Sequence, residues 1–332
     1  MIKDKTQPAL LIKQFVFSED KSALSNEEWE LLLRQARTAG VLARLCFYWK
    51  KFNNFVPPDY VVSHLNSAEK YWLSQKRVVN WEVFKLLHAF NELNMPLILL
   101  KGTAYSAANL NVGLGRVFSD IDILVPKARL NDVVEGLKWH GWIADPLDDY
   151  DRRYYERWMH ELPPMRHIKR GTSLDIHHNI IPETCSLCPN SEFLFESAKQ
   201  IPNTNLWTLS QEDMILHSAT HLFWGGEFES GFRDLSDLDL LLREFSENNH
   251  RIWFSLAERA KFLGLDEPLF YALRYTNKFF QTPVPSSILD DKVSNRHFDF
   301  KIRMMDALFL RALGPNHPSC RDWLTNLAVW LL

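Results

Sequence analysis

Two short apolar runs constrain this chain more than any other feature. Leu97-Ile98-Leu99-Leu100 stops at Lys101-Gly102-Thr103, and Ile121-Asp122-Ile123-Leu124-Val125 is entered through Asp120. The first run is too short and too abruptly ended for a helix, which predicts a buried strand. Gly102 then permits a tight turn and close backbone approach, and Tyr105 to Leu110 are helix-compatible in composition. In the second run Asp120 and Asp122 are two apart, so on a strand they point to the same side. Two carboxylates held in that way repel each other unless a cation lies between them. The segment therefore predicts a strand with one face in the core and the other turned to a divalent metal.

Taken alone, Asp-x-Asp is a weak signal, common in turns and on solvated strand faces. Three features strengthen it here. The pair lies in a run that should be buried, where unpaired charge is costly. The strand, Gly-Thr turn and helix start before it suit a phosphate at a helix N-terminus. A third carboxylate, Asp175, stands in Thr172-Ser173-Leu174-Asp175-Ile176-His177, which again alternates as a strand does. On that strand Asp175 and His177 share a face, which makes His177 a substrate-contacting candidate; a neutral, backbone-bonded histidine is the alternative.

This order of strand, Gly-Thr turn, helix, Asp-x-Asp strand and later single-Asp strand is similar to that of the polymerase-β-type nucleotidyltransferase superfamily. The finer pattern resembles its branch of uncharacterised nucleotidyltransferases: Leu100-Lys101-Gly102-Thr103-Ala104, Arg116 four residues before Asp120, and Asp120-Ile121-Asp122-Ile123-Leu124-Val125-Pro126. The superfamily usually has Gly-Ser where this chain has Gly102-Thr103, and threonine keeps the hydroxyl. The resemblance implies an α+β fold, a small mixed sheet with flanking helices. On that reading 1–94 is a helical region, 95–208 the nucleotidyltransferase core and 209–332 a C-terminal helical domain.

It further implies transfer of a nucleoside monophosphate from an NTP to a hydroxyl group. Mg2+ or Mn2+ would be held by Asp120, Asp122 and Asp175, with Lys101, Gly102, Thr103 and Arg116 on the nucleotide. In the resembled family a His-bearing helix and then an Arg/Asp-bearing helix support the cleft, which makes His221, Arg233 and Asp237 supporting candidates. Two alternatives stand beside this reading. One is a non-catalytic nucleotide-binding or antitoxin-like regulatory protein on the same fold; the other is a helical scaffold whose acids bind metal structurally.

Composition narrows the partners. At 332 residues the chain can build one large or two medium domains. With 46% hydrophobic and 24% charged residues it has an ordinary globular profile. A formal net charge of −3 and no long basic run weigh against a protein that grips nucleic acid through its phosphates, and favour a small-molecule or protein acceptor. No apolar stretch reaches a membrane span, and Met1 to Gln7 lack the apolar segment of a secretory signal, so a cytoplasmic location is expected. Cys46, Cys185, Cys188 and Cys320 are too few and scattered for a disulfide framework.

Along the rest of the chain, 9–53 and 59–93 read as helices, with a capping box at Ser25 and Glu28. Residues 110–115 read as a flexible connector. The stretch 145–160, rich in charge and tyrosine, reads as a mobile loop and helix at the cleft mouth. Residues 163–168 and 172–178 form a hairpin turning at Lys169 to Thr172. From Ser210 onward the chain is helical, with His217 and His221 on one face. Asp234, Asp237 and Asp239 would spread around a helix surface.

Overall fold

The computed structural model describes residues 24–51, 57–118, 120–144, 159–226, 228–247, 249–290 and 296–332. The expected helix over 9–23 and most of the charged, tyrosine-rich stretch (145–158) lie outside the described residues.

The fold is α+β. Among the described residues one mixed sheet of seven strands lies at its centre. The strands are β1 (Leu97–Leu99), β2 (Asp120–Leu124), β3 (Trp142–Ala144), β4 (Met165–His167), β5 (Ser173–His177), β6 (Lys199–Gln200) and β7 (Leu206–Thr208), in the order β3-β4-β5-β2-β1-β7-β6. The two apolar runs form β1 and β2, paired antiparallel with Leu99 opposite Ile123. The 163–178 region makes the β4–β5 hairpin. β5 then lies parallel to β2, and β7 parallel to β1. β6 and β7 had no sequence expectation, because two or three residues carry too little alternation to be read.

The N-terminal helices are α1 (Asn26–Thr38), α2 (Leu42–Lys51) and α3 (Asp59–Glu92). Both halves of the Ser25–Glu28 capping box close α1. Val61, Leu65, Trp72, Val79, Val83, Leu86 and Phe90 bury one side of α3. Glu82, buried on the same helix, accepts from Arg170 Nε at 2.5 Å and from Thr172 Oγ1 at 3.1 Å. Those bonds tie the β4–β5 turn to α3. The turn after β1 starts α4 (Lys101–Ala107), and α5 (Leu130–Trp139) links β2 to β3.

Residues 110–115 are not the flexible connector their two glycines suggest. Asn111–Gly113 forms a 3-10 turn with Val112 and Gly113 buried, and Asn111 N–H donates to Glu244 at 2.8 Å. Gly115 has φ +70°, and a Cβ there would stand 2.3 Å from Arg44 N. The glycines serve close packing, not slack.

After the sheet come α6 (Glu192–Ser197), α7 (Gln211–Trp224), α8 (Gly231–Glu247), α9 (Ile252–Leu263), α10 (Asp266–Phe280), α11 (Ser286–Asp290), α12 (Arg296–Ala312) and α13 (Trp323–Leu331). Ser210 caps α7 by accepting from Asp213 N–H. Asp213 in turn accepts two bonds from Arg259 at 2.8 Å, which fixes α7 against α9. No described helix is long and apolar enough to cross a membrane.

Candidate functional site

Register builds the site. Asp122 pairs with Asp175 across the parallel β2–β5 ladder, and Asp120 pairs with Ser173. Paired residues on neighbouring strands share a face, as do residues two apart on one strand. Asp120, Asp122, Asp175 and His177 therefore stand on one face of the sheet. An isolated bridge from Glu161 to His177 adds Glu161 to it. Beside this face the β1–α4 turn delivers Lys101, whose Nζ donates to Asp122 Oδ1 at 3.1 Å. His177 Nε2 lies 3.0 Å from the same oxygen.

The charges on this face are strongly coupled. Burial alone would push the Asp122 carboxyl up, but Lys101 and His177 outweigh it and hold it well below the usual range. Asp175 lacks such a partner. Burial, with Asp122, Asp120 and Glu161 nearby, pushes its carboxyl up to about 7. Burial and Asp122 also raise Asp120. Burial by itself would lower the Lys101 ammonium, but Asp122 outweighs it and the pKa is raised. Asp175 Oδ1 and Thr103 Oγ1 are among the polar atoms here that are buried without a hydrogen-bond partner within the described residues. A carboxylate oxygen in that state is costly unless it meets a proton or a cation.

α7 brings two histidines near this face. His221 is lowered to about 3, first by burial and then by Lys101. His217 is also lowered, for the same reasons. Both imidazoles are neutral, and they sit close enough to Lys101, Asp122 and His177 to feel their charges. Tyr105 Oη meets Ser218 Oγ at 3.0 Å, joining α4 to α7.

Arg116 sits beside the turn, but its charge is engaged elsewhere. Its Nε donates to Asp237 Oδ2 at 2.5 Å, and its Nη2 lies 3.7 Å from Asp234. Nη1 faces Gly102: a Cβ built there would stand 3.2 Å from it and 3.0 Å from the Phe118 ring. Gly102 is therefore the residue that lets Arg116 and Phe118 lie against the turn. Asp237 also accepts from Arg44 Nη2 at 2.6 Å, and Arg44 Nη2 donates to Val112 O at 2.8 Å. Asp237 is thus a buried tie between α2, α8 and the segment before β2. Arg233 pairs with Asp234 at 2.9 Å.

The acids of α8 do not spread around a helix surface. Asp234, Asp237 and Asp239 are all buried. Each has an arginine to offset its charge, Arg233, Arg44 with Arg116, and Arg243 respectively, and Asp239 also accepts from Thr282 Oγ1 at 2.6 Å. Paired in this way, a buried carboxylate is tolerated on an otherwise apolar helix face.

Sequence reading missed His160, Glu161 and Arg44. Arg44 left a trace, a charge among Val41, Leu42, Leu45 and Cys46 on an apolar face. His160 and Glu161 left none, because the Pro163-Pro164 break hides their pairing with β5. A separate cavity of about 490 Å³, lined by Arg44, Phe47, Tyr48, Arg243 and Trp253, contains none of the three aspartates.

No curated protein and no solved structure matches the chain. A family model described as "Uncharacterised nucleotidyltransferase" matches residues 25–281, a span that holds the turn after β1, all three aspartates and α7 to α10. The chain belongs to that family of uncharacterised nucleotidyltransferases.

Proposed function

We propose that this protein transfers a nucleoside monophosphate from an NTP to a hydroxyl group of a small-molecule or protein acceptor, with divalent metal bound by Asp120, Asp122 and Asp175. One observation carries the reading: Asp122 and Asp175 are paired across neighbouring parallel strands with Asp120 on the same face. The donor set fits Mg2+ or Mn2+, hard cations that favour carboxylate oxygens. The unpartnered Asp175 Oδ1 supports this. When bound, such ions supply charge stabilisation at the attacking and leaving oxygens of an in-line displacement.

The chain's own groups do the remaining work. Gly102 leaves the turn open to close approach by phosphate, and Thr103 Oγ1 is a donor with no protein partner. Arg116 keeps Nε on Asp237 and presents Nη1 behind the turn, a fixed positive wall for phosphate oxygens. Lys101 balances the acidic face and stabilises charge on the departing pyrophosphate. Asp175, on the face with the other two aspartates, takes the proton of the acceptor hydroxyl. His177 orients Asp122, and neutral His221 lines the acceptor side without adding positive charge. Asp237 supports the site through Arg116, and Arg233 through Asp234.

The test incubates the purified protein with labelled NTPs and a cell extract and looks for a labelled acceptor. Asp120→Asn, Asp122→Asn and Asp175→Asn should each abolish labelling while their circular dichroism stays that of the wild type. Full labelling by any of the three variants would overturn the assignment. Thermal stabilisation by ATP, CTP, GTP or UTP should require magnesium, and no shift with any of them would favour a non-catalytic role.

A further inference from the structure

We propose that His160, Glu161 and His177 form a second metal site that takes Zn2+, or another first-row cation favouring nitrogen, in preference to Mg2+. This goes beyond the transfer reading and does not depend on it, because metal binding can be measured without turnover.

Each of the three residues offers a ligand atom, and those atoms all lie within 4.8 Å of one another. The backbone holds them in place. His178 N–H donates to His160 O at 2.8 Å, and Leu162 N–H donates to Ile176 O at 2.9 Å, so the 160–162 segment is laced onto β5. The His160 and His177 rings lie 5.4 Å apart between centroids.

The hydrogen bonding of His177 points to a cation. The ring is 1% exposed, and its Nε2 meets Asp122 Oδ1 at 3.0 Å. A neutral imidazole that donates from Nε2 carries a lone pair on Nδ1. That Nδ1 is buried with no hydrogen-bond partner, although Glu161 Oε2 is 3.2 Å away. A lone pair beside a carboxylate oxygen is repulsive unless a positive centre joins them. His160 Nδ1 is a second buried, unpartnered nitrogen at the same place. An imidazolium held between Asp122 and Glu161 would satisfy His177 but would leave His160 Nδ1 unpaired.

A metal satisfies both nitrogens. It also gives Asp122 the role usual behind a metal-bound histidine, a carboxylate accepting from the other ring nitrogen. Two nitrogens and one carboxylate suit zinc-like ions, whereas the all-carboxylate set of Asp120, Asp122 and Asp175 suits Mg2+. Three protein ligands leave coordination positions open for water or substrate.

The test uses the full chain, stripped with a chelator and then dialysed against Zn2+ in excess Mg2+. Bound zinc is measured by elemental analysis, and affinity by competition with a chromophoric chelator. One zinc per chain is expected. His160→Gln and Glu161→Gln should each weaken it about 100-fold or more, with far-UV circular dichroism unchanged in the metal-free state. His140 lies with His88 and Glu92 in a more exposed cluster that could also hold an ion; His140→Ala, the Cys185→Ala/Cys188→Ala double variant and Asp120→Asn should all keep wild-type affinity for the zinc of this site. No bound zinc, loss of zinc in the cysteine or His140 variants, or unchanged affinity in both Gln variants would each overturn the proposal. Asp120→Asn keeps the two readings apart, since it should lose transfer and retain zinc.

Discussion

Lys101 donates from Nζ to Asp122 Oδ1 across 3.1 Å while its own backbone sits at φ +44°. A non-glycine residue in the left-handed region costs roughly 1 kcal/mol or more. The neighbours recover that cost by placing an ammonium against a buried carboxylate. The β1–α4 turn is therefore shaped to aim Lys101 at the acidic face.

Lys101→Met should reduce transfer about 100-fold, the scale of losing one preorganised charge at a site of charge development. The same change removes a positive charge beside Asp120 and Asp122, so the affinity for Mg2+ should rise. Rates measured across a magnesium titration, with calorimetric Mg2+ binding, separate the two effects. Loss of magnesium affinity together with activity would contradict this role.

Asp237→Asn leaves the guanidinium groups of Arg44 and Arg116 buried against a neutral amide. Breaking a buried ion pair from one side typically costs about 3 kcal/mol, and the urea midpoint should fall accordingly with its slope unchanged. Transfer should fall as well, because Arg116 is released from behind Gly102.

Two glycine-to-alanine changes should separate a tight site from a forbidden one. At Gly102 the new Cβ meets the Phe118 ring at 3.0 Å and Arg116 Nη1 at 3.2 Å. Those are side chains that can shift, so stability should drop by less than about 2 kcal/mol while the KM for NTP rises. At Gly115 the Cβ would be 2.3 Å from Arg44 N, and φ is +70°. That is backbone against backbone, and a loss above about 3 kcal/mol is expected. Thermal melts of the two proteins should differ in that order.

Asp306 reports on stability away from the site. It accepts from Arg274 Nε at 2.8 Å, from Arg274 Nη2 at 2.6 Å and from Lys278 Nζ at 2.7 Å. Burial alone would raise its pKa, but Arg274 and Lys278 outweigh that and lower it from 3.8 to about 2. Between those values the unfolded chain binds more protons, so this contribution is present above about pH 4 and lost as pH falls through 2. Because the cluster is partly solvated, Asp306→Asn should cost about 1 kcal/mol at pH 7. In urea titrations the gap from wild type should narrow as the pH is lowered from 5 toward 2.

What could be read in the chain was whatever had a local cause. Leu97 to Leu100 could only be a short buried strand, Ser25 and Glu28 could cap a helix on their own, and the turn at Lys169 to Thr172 lay between two alternating runs. Asp120 and Asp122 share a face because strand geometry has a period of two. The family resemblance rested on such local strings. Where the cause was a distant partner, reading failed. Asp237 looks like part of a solvated helix face until Arg44 and Arg116 arrive from other elements, whereas Asp234 and Asp239 pair with Arg233 and Arg243 of their own helix.

The sequence by itself determined β1, β2, β4 and β5, the capped helices and the candidate acids, because hydrophobic periodicity and turn chemistry act over a few residues. Only the tertiary structure decided that β5 lies parallel to β2 with Asp175 opposite Asp122. It also decided that Arg116 spends its Nε on Asp237, and that His160 and Glu161 close on His177. Strand order and the pairing of buried charges depend on groups far apart in the chain, whose desolvation must be offset jointly, and no local pattern encodes that sum.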